Sequence, residues 1–257
     1  VAPKIRLAVA LQLALVLFAV GCKKHAAPAA ADHSARPAAV AETSDAVIRG
    51  VVHFKGDPRK RVKIDMGQDP ACDLSAHGDN LSEQYIVNDG GLANAFVYIK
   101  SGFGDQKFTA PTTPVILDQK GCRYVPHVVA LMVGQTLRVL NSDMTMHNVH
   151  SEPSAPDNHY IDVSMAPGGK PAETSFLGPE TMISVRCNMH PWMEAFVNVA
   201  ANPYYTISDS TGHFEIHNVP AGDYTLAAVH EKLLEKTQTI TVAPHSVNDV
   251  DFTFESR

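Results

Sequence analysis

The sequence predicts an all-β protein folded as two β-sandwiches. Two observations carry that reading. From Val47 onward, short runs rich in Val, Ile, Thr, Tyr and Phe recur at close intervals, separated by clusters of Gly, Pro, Asn and Asp. Nowhere among them does an apolar helical period persist long enough for an amphipathic helix. The 257 residues are enough for one large domain or two small ones, and 45% hydrophobic against 19% charged residues suits a chain that buries a core. Net charge is −6, with 21 Lys and Arg against 27 Asp and Glu, which argues against nucleic acid as a partner. The less ordinary counts are 13 His, 8 Met and 4 Cys, nitrogen and sulfur donors suited to a soft transition metal.

The N-terminal elements come first. Lys4 and Arg6 precede an apolar run over residues 7–20, interrupted only by Gln12. As a helix this run would rise about 21 Å, short of the roughly 30 Å hydrocarbon core, so residues 1–21 read as a signal peptide. Ala19-Val20-Gly21-Cys22 resembles a bacterial lipobox. The resemblance implies a lipid on Cys22 and an exported chain anchored to a bacterial membrane, facing the periplasm or exterior. Residues 22–45 are rich in Ala and Pro, lack apolar periodicity, and are expected to form a tether.

The body then reads as strands in succession: 47–54, 84–87, 95–100, 115–117, 127–133, 136–140, 147–150, 182–186, 195–200, 204–208, 213–217, 224–230, 237–242 and 250–254. Turn signals separate them, among them Asn88-Asp89-Gly90-Gly91, Pro167-Gly168-Gly169, Ser210-Thr211-Gly212 and Pro220-Ala221-Gly222. No internal repeat is evident.

Two stretches carry chemistry. Cys187-Asn-Met-His190-Pro191-Trp192-Met193 offers a thiolate, an imidazole and a thioether on one polar loop between two expected strands. Upstream, Met146-His147-Asn148-Val149-His150 opens another strand and can supply a second imidazole from His147. Two nitrogens, one thiolate and a weak thioether suit copper in both oxidation states. Zinc sites more often use Cys pairs or several His, and an iron–sulfur cluster needs about four cysteines. A buried Cys or Met is often mere packing, but a core strand would not need an Asn- and Pro-containing loop at this spacing. His150, three residues on, falls on the opposite face of a regular strand and is not expected to ligate.

His147-Asn148-Val149-His150 together with Cys187-x-x-His190-Pro191-x-Met193 resembles the copper loops of the cupredoxins, the amicyanin and plastocyanin type most closely. The resemblance extends back through residues 115–124 and Val133-Gly134-Gln135-Thr136 and covers 113–201. It implies a Greek-key sandwich holding one type 1 copper ion. Cys187, His147 and His190 would be the strong ligands and Met193 the distant axial one, with Met189 the rival for that place. It implies that Asn148 hydrogen-bonds to the ligand loop and fixes its shape. It further implies that the His190 imidazole reaches the surface in an apolar patch supplied by Met189, Pro191 and Trp192, where electrons cross. With no vacant ligand position, such a centre carries single electrons without catalysing a reaction, and no catalytic residue is assigned.

The run from Tyr204 to Leu226, with Thr206-x-x-Asp209-x-x-Gly212-x-Phe214 and Pro220-x-Gly222-x-Tyr224-x-Leu226, resembles the carboxypeptidase regulatory-like, transthyretin-like β-sandwich. Residues 48–54 and 91–99 resemble the opening strands of the same family. The expected arrangement is a discontinuous sandwich, 46–112 with 202–257, into which the copper domain is inserted; a serial arrangement is the alternative. Cys72 and Cys122 remain once Cys22 and Cys187 are assigned. In an exported protein they are expected to pair, the alternatives being free thiols or a second metal site with His77 or His127.

The function expected is a membrane-tethered carrier exchanging electrons with periplasmic or membrane redox proteins, one as donor and one as acceptor. The competing reading is a surface lipoprotein whose regulatory-like sandwich contacts glycan or protein while copper is structural or stored. A copper oxidase or nitrite-type reductase lacks support, because the sequence offers no second copper-binding histidine set.

Overall fold

The computed structural model of the protein describes residues 45–75 and 78–255. The expected signal peptide, Cys22, His77 and nearly all of the tether lie outside the described residues. Among the described residues the chain is all-β apart from a six-residue helix, Pro70–Ser75, and its strands form sheets of six, five, four and four strands. No helix among them is long and apolar enough to cross a membrane.

One sandwich is organised around the strand Ala46–Lys55. It pairs antiparallel with His213–Val219 and parallel with Val247–Asp249 and Phe252–Glu255. The facing sheet runs Tyr205–Ile207, Phe96–Ser101, Gly222–His230, Leu233–Val242. Alternation explains the packing: in His213–Val219, Phe214 and Ile216 point inward while His213, Glu215 and His217 face solvent. They meet Ile48, Val52, Val97, Ile99, Phe252 and Phe254 in a single core. Gly50 permits the last part of the chain to close over Ala46–Lys55, since a Cβ at that position would stand 1.9 Å from the Val250 carbonyl oxygen.

The second sandwich uses the strands between residues 115 and 200, which pair with one another. Its larger sheet runs Asp162–Met165, His147–Glu152, Glu180–Arg186, Glu194–Ala200, Val128–Met132; the smaller runs Ala172–Thr174, Leu137–Asn141, Val115–Gln119, Tyr124–Val125. Glu194–Ala200 is buried along almost its whole length. Val197 and Val199 enter the core of the second sandwich, while Ala200 packs on Phe96 and Val229 in a small cluster between the two. A buried hydrogen bond, His127 Nε2 to Glu231 Oε1 at 2.7 Å, joins the sandwiches beside it.

One stretch departs from the expected layout. Residues 61–75 and 78–83 leave the first sandwich and lie against the second: Met66 and Cys72 enter its core, Ile64 packs on it, and Arg123 binds the Leu81 carbonyl and the Glu83 carboxylate at 3.0 and 2.6 Å. The expected strand 84–87 is correspondingly reduced to Val87–Asn88. Asp162–Met165 and Ala172–Thr174 were not anticipated. Each is an edge strand, and the first has three exposed residues out of four, so neither shows an apolar alternation.

Candidate metal centre

The loop Cys187 to Met193 joins two adjacent strands of the five-stranded sheet, Glu180–Arg186 and Glu194–Ala200. It closes on itself: the Cys187 amide donates to the Met193 carbonyl at 3.3 Å and the Met193 amide to the His190 carbonyl at 2.9 Å. His147 opens the neighbouring strand, whose register sets His150 opposite Arg186. The sheet therefore carries His147 to the same end as the loop. The Asn148 amide donates to the Cys187 sulfur at 3.3 Å, stitching strand to loop.

Three donors converge. His147 Nδ1 and His190 Nδ1 stand 2.9 Å apart, and Cys187 Sγ lies 3.6 Å from His190 Nδ1. All three residues are buried, His147 at 0%, Cys187 at 3% and His190 at 4% exposure. The outer nitrogens are already committed: His147 Nε2 to Asp143 Oδ2 at 2.8 Å and His190 Nε2 to Asp69 Oδ2 at 3.0 Å. A carboxylate only accepts, so each Nε2 carries a proton and Nδ1 of each ring is turned toward the other. At 2.9 Å the two Nδ1 atoms need a cation between them, a proton shared from His147 or a metal ion. A transition metal, held also by the buried thiolate, satisfies that geometry and that donor set.

Each carboxylate is itself fixed. Asp69 caps the short helix: its Oδ1 accepts from the Ala71 and Cys72 amides at 2.8 and 3.4 Å, and Pro70 fills the first helical position. Its Oδ2 also accepts from the Thr145 hydroxyl at 3.1 Å. Asp143 accepts the Gly121 and Cys122 amides at 2.6 and 2.8 Å. Those two residues have φ of 65° and 52°, a left-handed pair that aims both N–H groups at one carboxylate. The disulfide Cys72–Cys122, spanning Cα atoms 5.5 Å apart, ties the capping helix to this turn. Cys72 Sγ lies 3.8 Å from His190 Nε2.

The electrostatics follow from these contacts. Burial opposes ionisation of Cys187, yet the His147 imidazole and the amides of Asn148, Met189 and His190 bring its thiol down to about 6. Burial likewise opposes a charged His147, but Asp143 and the Cys187 thiolate carry it up to about 9. Asp143 is held below the usual carboxylate range, the hydrogen bonds from His147 and two amides outweighing burial. The hydrogen bond from His190 lowers Asp69 in the same direction. The pocket thus retains positive charge beside a thiolate at neutral pH.

The other sequence-assigned residues fall as follows. Met193 is buried at 1% exposure and closes the ligand loop. Asn148 Oδ1 accepts the Asn188 amide at 3.3 Å, and its Nδ2 donates to Asp162 at 2.7 Å, so the side chain holds the loop to the neighbouring strand. His150 turns away to Asn188. Met189 is 43% exposed and Pro191 is exposed. Trp192 is half-buried, its indole N–H donating to the Cys122 carbonyl at 3.1 Å and its ring 5.1 Å from that of His190.

One expectation needs correcting: the His190 imidazole does not reach the surface. The capping helix, Asp69 and Trp192 enclose it. Pro191 and Trp192 instead line a cleft of about 810 Å³ that reaches Cys187 and Met193, bordered by Arg123 and Arg186. The alternative of a second metal site at His127 is also displaced, since its two ring nitrogens are engaged by the Glu194 carbonyl and by Glu231. Asp69 and Asp143 were not singled out from sequence. Asp143 lies within the stretch leading to His147, where its position four residues upstream was a usable signal; Asp69 reaches the site across 121 residues, with none.

No curated protein sequence matches the chain. Among solved structures, similarity extends to a copper-containing nitrite reductase from Thermus scotoductus SA-01, with 20% identity, TM-score 0.32 and coverage of 37% of this chain. The matched part spans 24% of that reductase. A methionine-to-alanine variant of amicyanin in its Cu(I) form gives 20% identity, TM-score 0.31, and coverage of 40% of this chain and 98% of that one. A purple cupredoxin from Nitrosopumilus maritimus gives 24%, 0.26, 30% and 82% in the same order. Over residues 190–255 the chain matches the family model of the carboxypeptidase regulatory-like domain, a match that starts at His190 and so takes in the last strand of the second sandwich.

Proposed function

We propose that the protein is a blue-copper electron carrier. Copper would be held by His147 Nδ1, His190 Nδ1 and Cys187 Sγ, with Met193 as the distant axial donor, in a sandwich inserted into a regulatory-like one. The convergence of two imidazole nitrogens and one thiolate in a buried site is the observation that carries the reading. When bound, copper supplies a one-electron couple at near-constant coordination. The protein's own part is to fix the donors and exclude water. Every donor residue is at most 4% exposed and the four donors together leave no vacant ligand position, which favours outer-sphere transfer to partner redox proteins over catalysis. Export, lipidation at Cys22 and attachment to a bacterial membrane complete the proposal and would place the carrier beside periplasmic or membrane partners.

The test is to load the purified chain with Cu(II) and record its visible spectrum and its reduction. An intense thiolate-to-copper band, reversible with one electron and lost in Cys187→Ser, is expected. A colourless protein that binds zinc as tightly as copper would overturn the proposal, and full copper occupancy without reversible cycling would replace it with storage.

A further inference from the structure

We propose that Asp69 and Asp143 are positioning residues of the copper centre, each holding one ligand imidazole as its Nε2–H tautomer so that Nδ1 faces the metal. This rests on the copper reading above and extends it to residues outside the four ligands. Four observations support it. Each carboxylate meets the Nε2 of a different ligand, at 2.8 and 3.0 Å. Each is oriented by donors of its own: the Gly121 and Cys122 amides for Asp143, the Ala71 and Cys72 amides and the Thr145 hydroxyl for Asp69. Each anchoring element contains one half of the same disulfide, so the two carboxylates are braced against each other. Both rings are buried, leaving water no part in choosing the tautomer.

The chemistry follows. A ring whose Nε2–H donates to a carboxylate gains electron density at Nδ1 and becomes a stronger donor. Two such carboxylates also place two negative charges just outside the ligands, which stabilises the doubly charged ion more than the singly charged one. Asp69 has a further effect on His190. It ties that ring to the capping helix, so the ligand is held from behind as well as by its loop.

The experiment uses the full chain and the variants Asp69→Asn, Asp143→Asn and Asp69→Ala. The Asn variants keep an oxygen acceptor for the helix cap and the turn while removing the charge, so they remain folded where an Ala variant fails. Copper affinity in each oxidation state, reduction potential and the ¹⁵N signature of the ligand imidazoles are measured. Each Asn variant is expected to bind Cu(II) about 10-fold to 100-fold more weakly. A tenfold greater loss for Cu(II) than for Cu(I) reads as a rise in potential of about 59 mV. In metal-free wild type, His190 is expected to carry its proton on Nε2, and Asp69→Asn, whose amide N–H then faces that nitrogen, to shift it toward Nδ1. Unchanged potential together with an unchanged His190 tautomer overturns the proposal, whether or not affinity falls, because a merely structural role moves neither. If wild type takes up no copper, the carrier reading fails by itself, and the metal-free tautomer still decides for or against Asp69.

Discussion

His230 should make the joint between the two sandwiches acid-sensitive, and the size of the effect can be worked out. Its ring is 1% exposed and packs on Tyr85 with centroids 5.9 Å apart. Nδ1 accepts the Lys232 amide at 3.3 Å, so the neutral ring carries its proton on Nε2, and charging it must break that bond. Burial depresses its pKa from 6.5 to about 4; His127 and Lys232 push the same way and Glu231 opposes them. A depressed histidine binds its proton in the unfolded chain first, so stability is complete above 6.5 and falls as the pH drops toward 4. The full loss is about 3 kcal/mol, and about 2 kcal/mol of it has accrued by pH 5. Urea unfolding at pH 7 and pH 5 reads this directly. His230→Phe keeps an aromatic ring on Tyr85 and removes the titration, so its loss between the two pH values should be about 2 kcal/mol smaller than that of wild type. Equal losses to within about 0.5 kcal/mol would refute the reasoning, since carboxylates common to both proteins cancel in the comparison.

Two further outcomes follow from the candidate metal centre. The disulfide closes a loop with a sequence separation of 50, so Cys72→Ser with Cys122→Ser should cost about 4 kcal/mol on the loop-entropy estimate; a loss below about 1 kcal/mol in urea unfolding would show that packing alone holds the capping helix. Trp192 is the single tryptophan of the chain and its ring lies 5.1 Å from that of His190. Its emission should be quenched strongly by Cu(II) and restored by a chelator, and emission indifferent to copper would place the metal elsewhere.

The legible part of the site is the part that is local in the chain. Cys187, His190 and Met193 share one loop, and His147 opens a strand whose alternation could be read beside it. The fold was legible for a similar reason, since strands such as His213–Val219 keep a two-residue burial rhythm. What escaped reading depends on distant chain segments. Asp69 caps a helix of one and a half turns and meets His190 because core packing and a disulfide bring that helix across, and no periodicity encodes this. The expectation of an exposed His190 failed on the same contact: the loop fits the pattern, but the lid over it comes from residues before 75. Asp162–Met165 was missed because its partner His147–Glu152, not its own apolar content, makes it a strand.

The position of the disulfide bears on how the centre is assembled. Cys72 groups with Asp69 and His190, and Cys122 with Asp143 and His147, each set within coordinating reach of a single ion. Reduced, those two cysteines would put two further thiols beside the imidazoles that face Cys187. Oxidation removes both and leaves Cys187 as the one described free cysteine. On the proposed copper reading, the disulfide thus leaves one sulfur of the three to hold the ion, and the same bond that braces the capping helix also defines the ligand set.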